Sequence, residues 1–176
     1  MTHDSDPTDS NDPVEQRFWI NTISLEHVTL GVSGGFVQAD HGKPTRLRWL
    51  HSGDWIVMYS PREGMRAGAA VQAFTALGTI TDDEPYQVRL GPDVEPWRRR
   101  VHWQPCAAAD VRPLLVDLTF VIDKVQWGFP FRRGLFRVDG ADFARIASTM
   151  APDWCAGDEQ VDLDRPEPGQ AVSGAA

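Results

Sequence analysis

The stretch Gly53–Pro61, GDWIVMYSP, decides the fold class. Side chains alternate across a strand, so Trp55, Val57 and Tyr59 share one face and Ile56 and Met58 the other, and both faces are apolar. Such a strand needs packing on both sides. Downstream, Arg62–Ala69 contains two glycines and connects it to a second strand over Val71–Ile80, VQAFTALGTI, with a third expected around Tyr86–Leu90. Upstream, Phe18–Ile23 is short, aromatic and β-branched and runs into Ser24, a residue of the N-cap type. It reads as strand into helix, the helix ending near Gly34-Gly35. The following FVQADHGK, Phe36–Lys43, has no helical period and precedes Pro44, which predicts a loop of the kind that lines sites.

Pro96–Trp103 alternates differently, with Trp97, Arg99, Val101 and Trp103 on one face and Arg98, Arg100 and His102 on the other. Pro113–Ile122 reads as a short helix running into an extended segment, and Phe131–Val138 as a last strand. Asp139–Met150 places Phe143, Ile146, Ala147 and Met150 at helical spacing, with Pro152 as the stop. Strands interspersed with short helices predict an α+β fold with a meander or barrel wall, not a doubly wound sheet.

The 176 residues carry a formal charge of −8, with 17 basic and 25 acidic side chains. That charge lies in the tails. Met1–Glu15 holds five acidic residues and no Lys or Arg, and Pro152–Ala176 holds six against Arg165 alone, which leaves 16 basic and 14 acidic residues between them. Both tails are poor in large apolar residues, so residues 1–15 and 152–176 are expected to be disordered and 16–151 to form one domain. No basic start with an apolar run and no membrane-length apolar segment is present, which predicts a cytoplasmic protein without a membrane partner. Cys106 and Cys155 lack metal spacing, and neither a Gly-rich phosphate loop with its Lys, an HExxH, nor a deaminase pairing of HxE with PCxxC occurs. No metal, no cofactor and no catalysis are expected.

A base held outside a duplex needs π-faces to stack on and hydrogen bonds to its edge. Trp127 lies in a non-periodic stretch with Gly128, Phe129 and Pro130, where backbone approaches a ligand closely. Asn21 offers an amide, Ser24 a hydroxyl, and His27 and His41 sit on the first helical turn and in the loop. Tyr59-Ser60-Pro61 ends the buried strand at a rim. Arg98, Arg99, Arg100, Arg132 and Arg133, with Arg46, Arg48, Arg62 and Arg66 elsewhere, are candidates for phosphate contacts.

Taken together and in order, FWI at Phe18–Ile20, GDWIVMYSP, VQAFTALGTI, and WGFPFRRG at Trp127–Gly134 resemble the EVE family, a PUA-like module related to the YTH readers of methylated RNA. The resemblance covers about Arg17–Ala151. It implies a PUA-like mixed β-barrel with flanking short helices. It also implies a cleft for a modified base such as a methylated or hydroxymethylated cytosine or an N-methylated adenine. Carried across, FWINTIS supplies Trp19, Asn21 and Ser24, HGK supplies His41 and Lys43, and YSP supplies Tyr59, Ser60 and Pro61. QAFTA supplies Gln72 and Phe74, and WGFPFRRG supplies Trp127, Phe131 and Arg132. The expected base pocket is therefore Trp19, Asn21, Ser24, His27, His41, Tyr59, Ser60, Pro61, Phe74 and Trp127. The expected backbone contacts are Lys43, Arg98, Arg99, Arg100, Arg132 and Arg133. The function implied is that of a non-catalytic reader of a modified base in DNA or RNA, with any effector protein acting in trans. An enzyme acting on a modified nucleotide or RNA, and a small-molecule-binding module, are the alternatives.

Overall fold

The computed structural model describes residues 16–156. Residues 1–15 and 157–176, most of the two tails expected to be disordered, lie outside the described residues. The elements, in chain order, are β1 (Phe18–Thr22), α1 (Leu25–Gly34), β2 (Phe36–Val37), α2 (Pro44–Leu47), β3 (Trp55–Arg62), β4 (Ala70–Ile80), β5 (Tyr86–Gln87), β6 (Trp97–Gln104), β7 (Ala109–Asp110), α3 (Val111–Leu114), β8 (Leu135–Val138) and α4 (Gly140–Met150). They build one mixed sheet, ordered β2-β6-β4-β3-β1-β8, curled into a half-barrel with short helices around it.

The both-faced strand GDWIVMYSP is the centre of this sheet. β3 runs parallel to β1, from Phe18↔Trp55 to Thr22↔Tyr59, and antiparallel to β4. A parallel pair needs a crossover, which α1, β2 and α2 supply. Trp55, Val57 and Tyr59 pack with Ile20, Phe74, Phe143 and Ile146 under α4, while Ile56 and Met58 pack with Trp19, Val28, Leu47 and Val101 on the other side. Each fully buried large apolar side chain contributes about 1.5–3 kcal/mol, so the strand is anchored from both faces. At Gly78 a Cβ would meet the His102 carbonyl oxygen at 2.6 Å, so glycine there lets β6 close against β4.

Several boundaries differ from expectation. The FVQADHGK segment is not wholly loop: Phe36 and Val37 pair with Arg100 and Arg99 as β2, and Asp40–Gly42 form a 3-10 turn. The last strand begins only at Leu135, because Pro130–Arg133 wind into another 3-10 turn that Gly134, at φ 72°, redirects. The strand around Tyr86 is two residues long. The domain also runs past Ala151. Trp154, assigned to the tail, packs edge-on against Trp55 at 5.5 Å and against Phe143 at 5.7 Å.

Arg99 corrects a larger expectation. It was assigned to a phosphate, yet it is 0% exposed among the apolar side chains of its face. Its Nε donates to Asp82 Oδ1 at 2.6 Å, and the rest of the guanidinium donates to the carbonyls of Leu47, Leu50 and Asp82. It therefore ties the turn after α2 to β6 from inside.

Candidate functional site

β1 and β3 end side by side because they are parallel. A cleft of about 910 Å³ opens there, between α1 and the segment 36–42. Val28, Val37, Ala39 and Met58 give it an apolar floor. Among the described residues, Arg46, Arg62, Arg98, Arg132 and Arg133 stand around it against a single acid, Asp40. The site is thus basic in a chain whose net charge is −8. Glu26 N donates to the Glu63 carbonyl at 2.9 Å, which holds the β3–β4 hairpin against α1 as a further wall.

Asn21, at the end of β1, is 1% exposed. Its Nδ2 donates to the Gln38 carbonyl at 2.9 Å, so Oδ1 is the group left for a ligand. Ser24 has the extended backbone of an N-cap, but its hydroxyl makes no capping bond and lies 2.9 Å from His27 Nδ1. That contact turns the imidazole's Nε2 into the donor or the acceptor, according to tautomer, available in the cleft. Gln38 organises the opposite wall: its side-chain Oε1 accepts from Arg98 Nε at 2.8 Å, and the Arg98 guanidinium stacks 3.6 Å over the Phe36 ring. Trp103 donates its indole N–H to the Gly31 carbonyl at 3.0 Å. Asp40, His41 and Gly42 are all left-handed, at φ 50°, 55° and 80°. Non-glycine residues held there cost about 1–3 kcal/mol each, strain that clusters at ligand sites.

On the opposite side of the same strand ends lies a second cleft of about 600 Å³, lined by Tyr59, Gln72, Gln126, Trp127, Phe129 and Phe131. Thr22, Pro61, Arg62 and Arg132 line both clefts. Tyr59 stacks on Phe131 at 3.9 Å, and Trp127 meets Phe131 edge-on at 6.4 Å. Burial pushes the Tyr59 phenol up to about 12, partly opposed by Arg112 and reinforced by Asp110, so it stays a neutral donor. A phenol whose pKa is higher folded than unfolded contributes stability below its ordinary value of 10, and that stability is lost as pH rises towards 12. Chemical denaturation across that range is expected to show a steeper loss in the wild type than in Tyr59→Phe.

The ten residues expected in one pocket are therefore divided. Asn21, Ser24, His27, His41 and Pro61 line the larger cleft, Tyr59, Trp127 and again Pro61 the smaller. Trp19, Ser60 and Phe74 are core. Trp19 donates its indole N–H to Asp54 at 2.9 Å, the Ser60 hydroxyl pairs with Thr75 at 2.8 Å, and Phe74 is fully buried. Of the backbone set, Arg98, Arg132 and Arg133 line the larger cleft. Arg100 lies over Tyr86 at 4.9 Å, and Lys43 is exposed outside the lining. Phe36, Gln38 and Trp103 line that cleft without being expected there, whereas Arg46 and Arg62, candidates for phosphate contacts, also line it. The aperiodic FVQADHGK stretch was the signal for Phe36 and Gln38. Gly31–Gly35 fits the letters G-x-S-x-G, but Ser33 sits exposed at the end of α1, not at a strand-to-helix elbow. Among the described residues no cluster of three or more His, Cys, Asp or Glu has metal-binding geometry, and no helix is long and apolar enough to cross a membrane.

Comparison with known proteins agrees with this architecture. The chain is 54% identical over 132 residues to a UPF0310 protein of Mycolicibacterium vanbaalenii, covering 75% of this chain and 91% of that protein. It is 37% identical over 136 residues to a UPF0310 protein of Bacillus licheniformis, covering 77% and 92%. The fold is shared with the YTH domain of Zygosaccharomyces rouxii MRB1, solved in complex with N6-methyladenosine RNA. There the TM-score is 0.54, the identity 16%, and the coverage 77% of this chain and 87% of that one. It is also shared with Rpa0253 from Rhodopseudomonas palustris, at a TM-score of 0.51 and 10% identity over 81% and 99% of the two chains. These likenesses agree with the PUA-like α+β architecture that the resemblance implied. The family model of the EVE domain matches residues 17–149, and the chain belongs to the EVE domain family.

Proposed function

We propose that this chain is a non-catalytic reader that takes one modified base, turned out of a DNA or RNA strand, into the larger cleft. The observation that carries this reading is the group of polar side chains set into its floor, buried Asn21 and Ser24 with half-buried His27, beneath a rim of five arginines. A base offers an edge to the floor and phosphates to the rim, and the two kinds of contact separate identity from affinity. The apolar floor suits an added methyl group, whose burial contributes about 0.8 kcal/mol, or about fourfold in affinity, before steric selection adds to it. Phe36, Trp103 and the imidazoles of His27 and His41 supply π-faces among the lining residues. That the YTH domain of the same fold is solved in complex with N6-methyladenosine RNA supports a nucleic-acid ligand for this chain. An effector responding to the mark would be recruited in trans.

The test is a titration with matched modified and unmodified single-stranded oligonucleotides of DNA and RNA at several salt concentrations. The expected result is a several-fold or greater preference for one modification, with affinity falling as salt rises. Equal binding across a broad panel would overturn the reading. Formation of a new nucleobase or nucleotide product during the incubation would replace it with an enzymatic one.

A further inference from the structure

We propose that the smaller cleft is a subsite for the base adjacent to the flipped one on the same strand, so that the protein reads a modified base together with its neighbour. This rests on the function proposed above.

The two clefts lie on either side of one ridge, formed by Thr22 at the end of β1 and Pro61-Arg62 at the end of β3, and Arg62 and Arg132 face into both. A strand whose phosphates follow those arginines over the ridge carries one base down each side. Among the described residues no carboxylate lines the smaller cleft, so nothing in that lining repels a phosphodiester. Its π-surface is in place. Trp127 is braced edge-on against Phe131, with the Arg112 guanidinium 5.8 Å from its ring, and Phe129 at its side is 61% exposed.

The backbone supplies a second line of argument. Ser60 pairs with Ala73 and Arg62 with Ala70, so β4 carries one more residue than β3 opposite Pro61. That bulge holds Gln72 in the left-handed region at φ 51°, a conformation glycine adopts without strain. Arg112 Nη2 donates to Gln72 Oε1 at 2.8 Å, which turns the amide NH₂ into the group available to a ligand. The same arginine thus braces both the ring and the amide. The Thr22 hydroxyl, on the ridge, is buried and meets no hydrogen-bond partner among the described residues. Bulges re-aim side chains near sites, and a strained, pre-oriented glutamine beside a braced indole is what recognition of a flat heterocycle needs.

The experiment uses the full chain and needs no protein variant for its first arm. Oligonucleotides carrying the preferred modification are compared with the same strands bearing an abasic site on the 5′ or the 3′ side of it. Losing one stacked base is expected to weaken binding about 5- to 150-fold on one side only, with purine neighbours bound more tightly than pyrimidines because they stack over a larger area. In the second arm, Trp127→Ala and Gln72→Ala should shrink that difference while leaving the ratio of modified to unmodified affinity unchanged. Equal binding of intact and abasic strands overturns the subsite while the modification preference, and so the larger cleft, still stands. Loss of the modification ratio in a folded Trp127→Ala protein overturns it too, by moving the recognition ring to the flipped base. Absence of any modification preference in the wild type instead defeats the reading on which this one rests.

Discussion

Replacing Arg99 by methionine is expected to lower stability by about 3–5 kcal/mol, the usual loss when one member of a buried charged pair is removed. Methionine fills much of the volume, but it leaves Asp82 without its cation and the carbonyls of Leu47 and Leu50 without their donor. The transition temperature should fall by about 10–15 °C. Thermal denaturation by circular dichroism measures this directly. The salt dependence of nucleic-acid binding should be unchanged in whatever fraction stays folded, since a fully buried guanidinium reaches no phosphate. Arg132→Gln is the contrast, because its exposed side chain at the rim should cost little stability and lower the salt slope by about 0.7–0.9. A stable Arg99→Met protein with a flattened salt dependence would mean that Arg99 is free to turn outward.

Asn21→Ala carries the largest expected effect on binding. Asn21 is buried and held by its bond to Gln38, and its Oδ1 is the acceptor that the proposed function assigns to the base edge. Truncation removes that acceptor and frees the Gln38 carbonyl, and through it the wall that positions Arg98. Leaving a buried polar group unsatisfied costs about 1–3 kcal/mol, so affinity for the preferred oligonucleotide should fall about 5- to 150-fold. The loss should be greater for the modified strand than for the unmodified one, since phosphate contacts at the rim are indifferent to the base. Paired titrations of wild type and variant at one salt concentration read both numbers. An equal loss on the two strands would place Asn21 outside base recognition and make it a support for the wall alone.

Single segments could be read where the physics is local. The alternation of GDWIVMYSP places Trp55, Val57 and Tyr59 against α4 and Ile56 and Met58 against the opposite layer, as Cβ geometry requires of any strand. The same rule put Arg99 on one face with Trp97, Val101 and Trp103, and that face is the inner one. As a cation Arg99 is expected at the surface, yet its own strand pattern places it among tryptophans. Trp19 failed in the same way: its neighbours in sequence named its strand, but only Asp54, 35 residues away, reveals where its indole N–H goes.

The amino-acid sequence by itself determined the α+β class, the both-faced central strand, the closing helix and the candidate polar residues of the larger cleft, because periodicity, capping and turn chemistry act between near neighbours. Tertiary structure alone decided that the expected pocket is two clefts. Tyr59 and Trp127 lie on one side of the β1–β3 ridge and Asn21, Ser24 and His27 on the other, and the side each occupies depends on sheet curl and on bulges in a partner strand. The bulge at Gln72 exists only in the register between β3 and β4. No alternation within a single segment encodes that bulge, and although alternation gives Arg99 its face, the Leu47 and Leu50 carbonyls that hold its guanidinium arrive only once α2 closes over β6.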